Sequence, residues 1–574
     1  MARAPASPHV LAVARGDEPA DLLLRGGRIL SPSTREWVTT DLALADGVVA
    51  GWGRHDAHEE VDLGGAAVTA GFVDAHMHLE STKLWVDEFV RTVLPLGTTA
   101  VAADPHEVAN VFGIPGVAAL IAAARQLPFT FGVCASSCVP ASRFESPGAE
   151  LFAADVATLL DEYSAIGVAE VMNFPGVIAG DPEMLARIAT AGTRRVDGHA
   201  PGLTGALLDA YLAAGVESDH ECTELDEAEE KRRKGMWIFI RQGSASQNLR
   251  DLIPTVLAHG TDHVALCTDD REPDTLLEVG HLNDCVRLAV EAGVHEIDAL
   301  VMATINPAEY HGFTELGALG PGYQADILCF DTLSGFRPSR VYQRGRLVAA
   351  HGAVVPGAVT DAPVPEFMRR SVHLAVPPGA AAFDYGILPG ARVRTIGIRE
   401  GSLTTSSLVS EPSDPTAGVA RLAVVERHRH TGRIGLGWVH GFGLTNGALA
   451  STVGHDAHNC MVVGSSSPKG PGAMAAAVAR LAALGGGQVA VDDLGSVLAE
   501  LPLPIGGLMS DQPAQVVAEG LHGLVEAARS LGTTIHAPFM HMSFLGLSVI
   551  PELRLTDKGL VDVGKFELVP VALD

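Results

Sequence analysis

Apolar and polar positions along residues 70–272 repeat one pattern. A short run of small and β-branched apolar residues ends in ionisable side chains, and a stretch with apolar residues at three-and-four spacing follows. The runs are "GFVDAHMHLE" (71–80), "TTAVAADPHE" (98–107), "FTFGVCASSC" (129–138), "GVAEVMN" (167–173), "RRVDGHAPG" (194–202), "GVESDHE" (215–221), "MWIFIRQGS" (236–244) and "HVALCTDDR" (263–271). Segments between them, such as "DVATLLDEYSAIG" and "PDTLLEVGHLNDCVRLAVEAG", read as helices. Strand alternating with helix predicts a parallel sheet with crossover connections. Eight such units match an α/β fold of the (β/α)8, TIM-barrel type, whose active sites gather at the C-terminal ends of the strands. The rival is an open doubly wound sheet. No Gly-x-Gly-x-x-Gly turn opens a helix after the first run, so the barrel is preferred.

Outside the barrel the pattern changes. Residues 21–69 and 325–358 alternate as short strands with Gly turns, and they flank the barrel on both sides. They are expected to pair into one small β-sandwich domain, formed by 1–69 and 321–365 around a barrel of 70–320. The Pro-rich stretch 355–378 reads as a linker, and 370–574 as an additional C-terminal α/β domain.

Composition narrows the class of function. The formal net charge of −28 argues against nucleic acid or an anionic membrane as the main partner. No run of about 20 uninterrupted apolar residues is present to span a bilayer. Seven cysteines without a Cys-x-x-Cys pair fit buried thiols in a reducing compartment better than a disulfide framework. Cys134 and Cys138 read as small buried residues of a turn. The N-terminus lacks the apolar core of a secretory signal, so a cytoplasmic protein is expected.

Candidate chemistry sits at the strand ends. Period-two alternation puts His76 and His78 on one side of the first strand. The fourth run carries Glu170, the fifth His199, the sixth His220 and the eighth Asp269. Gaps of 92, 29, 21 and 49 residues separate His78, Glu170, His199, His220 and Asp269, which is about three, one, one and two βα units. Each of these residues taken alone has a structural explanation; Glu170 could be a paired core acid and Asp269 a helix cap. Their joint placement points instead to a divalent transition metal such as Mn, Fe or Zn. Six ligands exceed the needs of one tetrahedral ion, and two ions bridged by Glu170 would use them all.

The set "DAHMHLES", "ADPHEVANVFG", "AEVMNFPGVI", "DGHAPGL", "AGVESDHE" and "LCTDDREPDTLLEVGHLNDCVR" resembles the bacterial adenine deaminase family of the amidohydrolase superfamily. The C-terminal runs "TGRIGLGWVHGFGLTNGALAST", "HDAHN" and "LPLPIGGLMSDQPAQ" resemble the same family, so the likeness covers roughly residues 20–574. It implies hydrolysis of adenine to hypoxanthine and ammonia at a binuclear metal centre, with Mn(2+) first and Fe(2+) or Zn(2+) as alternatives. It also implies that His76, His78, Glu170, His199, His220 and Asp269 are the ligands, with Glu170 bridging where other superfamily members use a carboxylated lysine. This sequence departs from the family in reading "IRQGS" with Gln242 where an acid is common, and "LEST" where "IESS" is usual.

Metal coordination can lower the pKa of water from 15.7 to roughly 7, which supplies hydroxide at neutrality. Asp269 is the expected proton shuttle, with Glu107 as a second catalytic group. Glu80, Asp104, His106 and Arg241 are expected to contact substrate; helix capping by "DPHE" and an ion pair at Arg241 are the structural alternatives. A hydrolase of cyclic amides or dipeptides on the same barrel, or a non-catalytic metal-binding barrel, are the other functional readings. A homo-oligomer acting on a small molecule is expected. His455, Asp456 and His458 in "GHDAHN" are expected to lie on a loop near the barrel mouth, giving polar contacts to the substrate pocket and no metal ligand.

Overall fold

The computed structural model describes residues 6–369, 371–386, 390–399, 402–414 and 416–573. Residues 1–5, 370 and 574, assigned above to the terminal domains, lie outside the described residues. The eight runs form barrel strands β1 (Phe72–Met77), β2 (Thr98–Ala103), β3 (Thr130–Val133, continued by Ala135–Ser136), β4 (Gly167–Val171), β5 (Arg195–Gly198), β6 (Ser218–Asp219), β7 (Trp237–Arg241) and β8 (Val264–Cys267). Ladders join β1 to β2 and β2 to β3, β3 to β4 and β4 to β5, β6 to β7 and β7 to β8, all parallel. Between β5 and β6, the Glu217 amide donates to Val196 O at 2.9 Å. The ring closes where Met77 bridges Asp269, with the Asp269 amide donating to His76 O at 3.0 Å. Every residue of β1, β2 and β4 is buried, as strands covered on both faces require.

The two segments flanking the barrel hydrogen-bond into one sheet of nine strands, built from Ala20–Ala70 and Ile327–Val354. The expected sandwich is thus one continuous sheet that curls. Val48 bridges Gln324, and Leu22, Leu24, Leu42 and Leu44 share an apolar cluster with Ile327, Cys329 and Tyr342. The strand Ala67–Ala70 passes through Gly71 directly into β1. A Cβ on Gly71 would lie 2.0 Å from Thr99 Oγ1, so this junction tolerates only glycine.

The C-terminal part holds an eight-stranded sheet from Val393–Ile398 to Val497–Pro502, flanked by helices Gly470–Leu484 and Ala514–Ser530. Loops of this part lie on the C-terminal ends of the barrel strands. Ser548 meets Ser142 at 2.6 Å, and the Asn459 amide donates to Ser146 O at 3.0 Å. No helix among the described residues is long and apolar enough to cross a membrane.

One buried ion cluster stitches the ends of β5 and β6 together. Lys231, with no exposed surface, donates from Nζ to Ala200 O at 2.7 Å, to Asp219 Oδ2 at 2.9 Å and to Glu227 Oε1 at 2.5 Å. Ala200 and Asp219 adjoin His199 and His220, so the ammonium sets the spacing of those two imidazoles. Removing one partner of a buried pair strands the other charges, at about 3–5 kcal/mol. Lys231→Met is therefore expected to lower the thermal midpoint and the metal content together. Unchanged values of both, by calorimetry and elemental analysis, would show that the cluster supports neither.

Candidate metal centre

The side chains at the ends of β1, β4, β5, β6 and β8 converge. His76 Nε2 and His78 Nε2 lie 3.1 Å apart, as alternation along an extended strand directs. Asp269 Oδ1 is 3.3 Å from His78 Nε2 and 3.9 Å from His76 Nε2. Glu170 stands between two groups and divides its oxygens. Oε1 is 3.5 Å from His78 Nε2, while Oε2 is 2.8 Å from His199 Nδ1 and 3.0 Å from His220 Nε2. All six residues are buried. The structure thus brings every expected ligand to one place.

Supporting contacts aim these groups. His78 Nδ1 donates to Asp104 O at 2.9 Å, which leaves Nε2 directed inward. Arg241 holds Asp269 Oδ2 at 2.8 Å and grips both oxygens of Glu221. Asp269 adopts φ +54°, a left-handed conformation uncommon outside glycine, which fits a residue held by its surroundings at a functional position. Burial alone would raise the Glu170 carboxyl, but His199 and His220 hold it well below its ordinary range. Burial would likewise lower the His199 imidazolium, which Glu170 and Glu221 raise to about 9. In a centre of this kind protons and metal cations compete for the same buried anions and imidazoles.

The donor set fits divalent metal. Four imidazoles and two carboxylates are the N/O donors that Mn, Fe and Zn accept. His199 Nε2 and both His220 nitrogens are buried without a hydrogen-bond partner. Buried orphans of that kind call for a partner of another kind.

A cavity opens above this centre. His78, His106, Glu170, His199 and Asp269 form its floor, and Glu221 and Asp270 sit at its edge. Met172, Leu403, Phe544, Leu547 and Ile550 give it an apolar wall, mostly from the C-terminal part. Arg554, fully buried, fastens that wall through main-chain carbonyls. Its guanidinium donates to Phe544 O and Ile550 O at 2.7 Å each and to Leu403 O at 2.5 Å.

Of the barrel residues expected to touch substrate, only His106 lines the cavity. Asp104 lies behind His106, Glu80 Oε1 accepts from the Val108 amide at 2.9 Å, and Arg241 is engaged with its two carboxylates. Glu107 is also outside the lining, fully buried beside Ser81, His455 and His458. Gln242 does not line the cavity either; its carbonyl accepts from Arg271 at 2.8 Å. Sequence reasoning passed over Glu221, Asp270 and the C-terminal members of the apolar wall, Leu403, Phe544, Leu547 and Ile550. The first two adjoin His220 and Asp269 in the quoted runs, and that adjacency was the available signal. Those members give none, because they lie in the C-terminal part, far from the barrel in sequence. The loop carrying His455 and Asp456 does reach the cavity, where both line it.

Comparison with known proteins agrees with this architecture. Residues 67–351 match the amidohydrolase family model, and 398–567 match the adenine deaminase C-terminal domain. The adenine deaminase of Desulfatibacillum aliphaticivorans is 44% identical over 98% of this chain and 99% of its own length. Adenine deaminase 2 of Carboxydothermus hydrogenoformans is 42% identical over 98% of both chains. Among solved structures, the L-hydantoinase of Arthrobacter aurescens aligns with a TM-score of 0.45 at 15% identity, covering 58% of this chain and 97% of that one. The chain belongs to the adenine deaminase family of amidohydrolases.

Proposed function

We propose that this protein is an adenine aminohydrolase, converting adenine and water to hypoxanthine and ammonia. Amidohydrolase membership implies a divalent metal. We further propose two ions, Mn(2+) in preference to Fe(2+) or Zn(2+), with His76, His78 and Asp269 on one side of Glu170 and His199 and His220 on the other. The observation that supports this most is the division of the Glu170 oxygens between the two groups. Bound divalent cations supply positive charge that acidifies water towards neutrality and so provides the nucleophile.

The chain's own groups do the rest. Asp269 turns Oδ1 to the cavity floor while Arg241 pins Oδ2. In that position it takes the proton released by the attacking water and returns it to the ring or to the departing amine. Phe544, Leu547, Ile550 and Met172 bracket a flat ring, and Glu221 and Asp270 are acceptors for N–H groups at its edge. Arg241 acts through Asp269 and Glu221 as a positioning residue, and Asp104 does so through His78 and His106. Seven buried, unpaired cysteines suit the reducing cytoplasm, the setting for purine salvage.

Protein reconstituted with Mn(2+) is expected to release ammonia from adenine and to leave cyclic amides and dipeptides uncleaved. Ring opening or peptide cleavage, without ammonia from adenine, would replace adenine as the substrate. Glu170→Gln is expected to lose at least one ion per chain, because a neutral amide bridges two cations poorly. Wild-type metal content in that variant would remove Glu170 as the bridge. Asp269→Asn can still offer an oxygen to metal but cannot accept a proton, so kcat should fall about 10²–10⁴-fold with most metal retained. Near-normal kcat would leave the proton transfer to another group.

A further inference from the structure

A second set of donors gathers on the other side of His106, where the barrel meets the C-terminal part. The His106 ring turns Nδ1 towards the Glu170 side, 4.0 Å from Oε1, and presents Nε2 to Asp456 Oδ1 at 3.6 Å. His455 Nδ1 is 3.6 Å from the same Asp456 oxygen and 3.8 Å from Glu107 Oε1. Donor atoms of His106, Glu107 and His455 lie within 4.8 Å of one another. Ligands about 2.1 Å from one tetrahedral ion stand roughly 3.4 Å apart, so a small contraction would close this set on a cation.

The polar atoms here lack other partners. His106 Nε2, Glu107 Oε2 and both oxygens of Asp456 are buried without a hydrogen bond. Exposure is 2% for His106, 0% for Glu107, 7% for His455 and 1% for Asp456. Outer contacts of the kind that aim metal ligands are already in place. His106 Nδ1 lies 3.3 Å from Asp104 Oδ2, which directs the Nε2 lone pair towards the cluster. Ser81 donates to Glu107 Oε1 at 3.2 Å. His458 is excluded as a ligand by its tautomer. Its Nδ1 accepts from the Gly454 amide at 3.1 Å, so the ring hydrogen is on Nε2, 3.4 Å from Glu107 Oε2.

We propose that His106 Nε2, Glu107, His455 Nδ1 and Asp456 form a further divalent-cation site, of the Zn(2+) or Mn(2+) class, distinct from the pair at Glu170. Two imidazoles and two carboxylates give the mixed N/O set these ions accept, and the two negative charges balance one dication. Two ligands follow β2 and two belong to the C-terminal loop, so the ion ties that loop across the barrel mouth. The proposal departs from the expectation that the loop offers no metal ligand. The site stands independently of the reaction proposed above.

The test is metal stoichiometry. Metal-free wild type, Asp456→Asn, His455→Gln and Glu170→Gln proteins are titrated with Mn(2+) or Zn(2+), and bound metal and melting temperature are measured without substrate. Wild type should hold three ions, with the melting temperature rising as the third binds. Asp456→Asn and His455→Gln should each hold two and lose that last rise; two separate variants guard against one that fails to fold. Glu170→Gln should lose metal from the pair yet keep the rise attributed to this site. Wild type saturating at two ions, or both loop variants keeping three, would overturn the proposal. A raised KM for adenine in Asp456→Asn, with two ions bound in wild type and variant alike, would overturn it in favour of a substrate contact. Absence of adenine turnover with three ions bound would count against the reaction alone.

Discussion

Everything at the barrel mouth depends on how one buried carboxylate is shared. Glu170 has almost no exposed surface and faces His78 with one oxygen and His199 and His220 with the other. An anion out of water is costly unless it is paired and fully hydrogen-bonded. Here the compensation comes from imidazoles on three other strands, and two of them, His199 and His220, keep ring nitrogens without a hydrogen-bond partner. The arrangement balances when cations join it. The tight strand ends, the left-handed Asp269 and the Lys231 cluster behind β5 and β6 are the scaffolding that keeps these groups from relaxing apart.

The barrel and the side chains proposed as ligands were legible in the sequence because a parallel barrel makes them local. Each strand is a short buried run, and each run ends at the same face, so His76, His78, Glu170, His199, His220 and Asp269 announce themselves by position. The curl of the flanking sheet was less legible. Alternation shows that strands pair but not that the edge at Val48 returns to Gln324. Least legible were contacts between distant segments. Nothing in "DPHE" shows that Glu107 faces His458, nor does the run containing Phe544 show that it lies over a metal centre. Those relations arise from packing of the C-terminal part onto the barrel.

That packing gives the C-terminal part its role. Arg554 gathers the carbonyls of Leu403, Phe544 and Ile550, and burial lowers its guanidinium to about 9. Arg427 does the same for the loop that carries His458, binding the carbonyls of His458, Ser371 and Gly506. Two buried arginines thus hold the apolar wall and the polar loop at fixed positions over the barrel. A barrel without this cover would keep the side chains proposed as metal ligands but lose most of the cavity's apolar wall.

The account rests on cations flanking Glu170, and anomalous diffraction from Mn(2+)-loaded crystals would test that most directly. Two peaks are expected, one near Glu170 Oε1 among His76, His78 and Asp269, the other near Oε2 beside His199 and His220. A single peak in a fully active crystal, or two peaks neither of which touches Glu170, would contradict it.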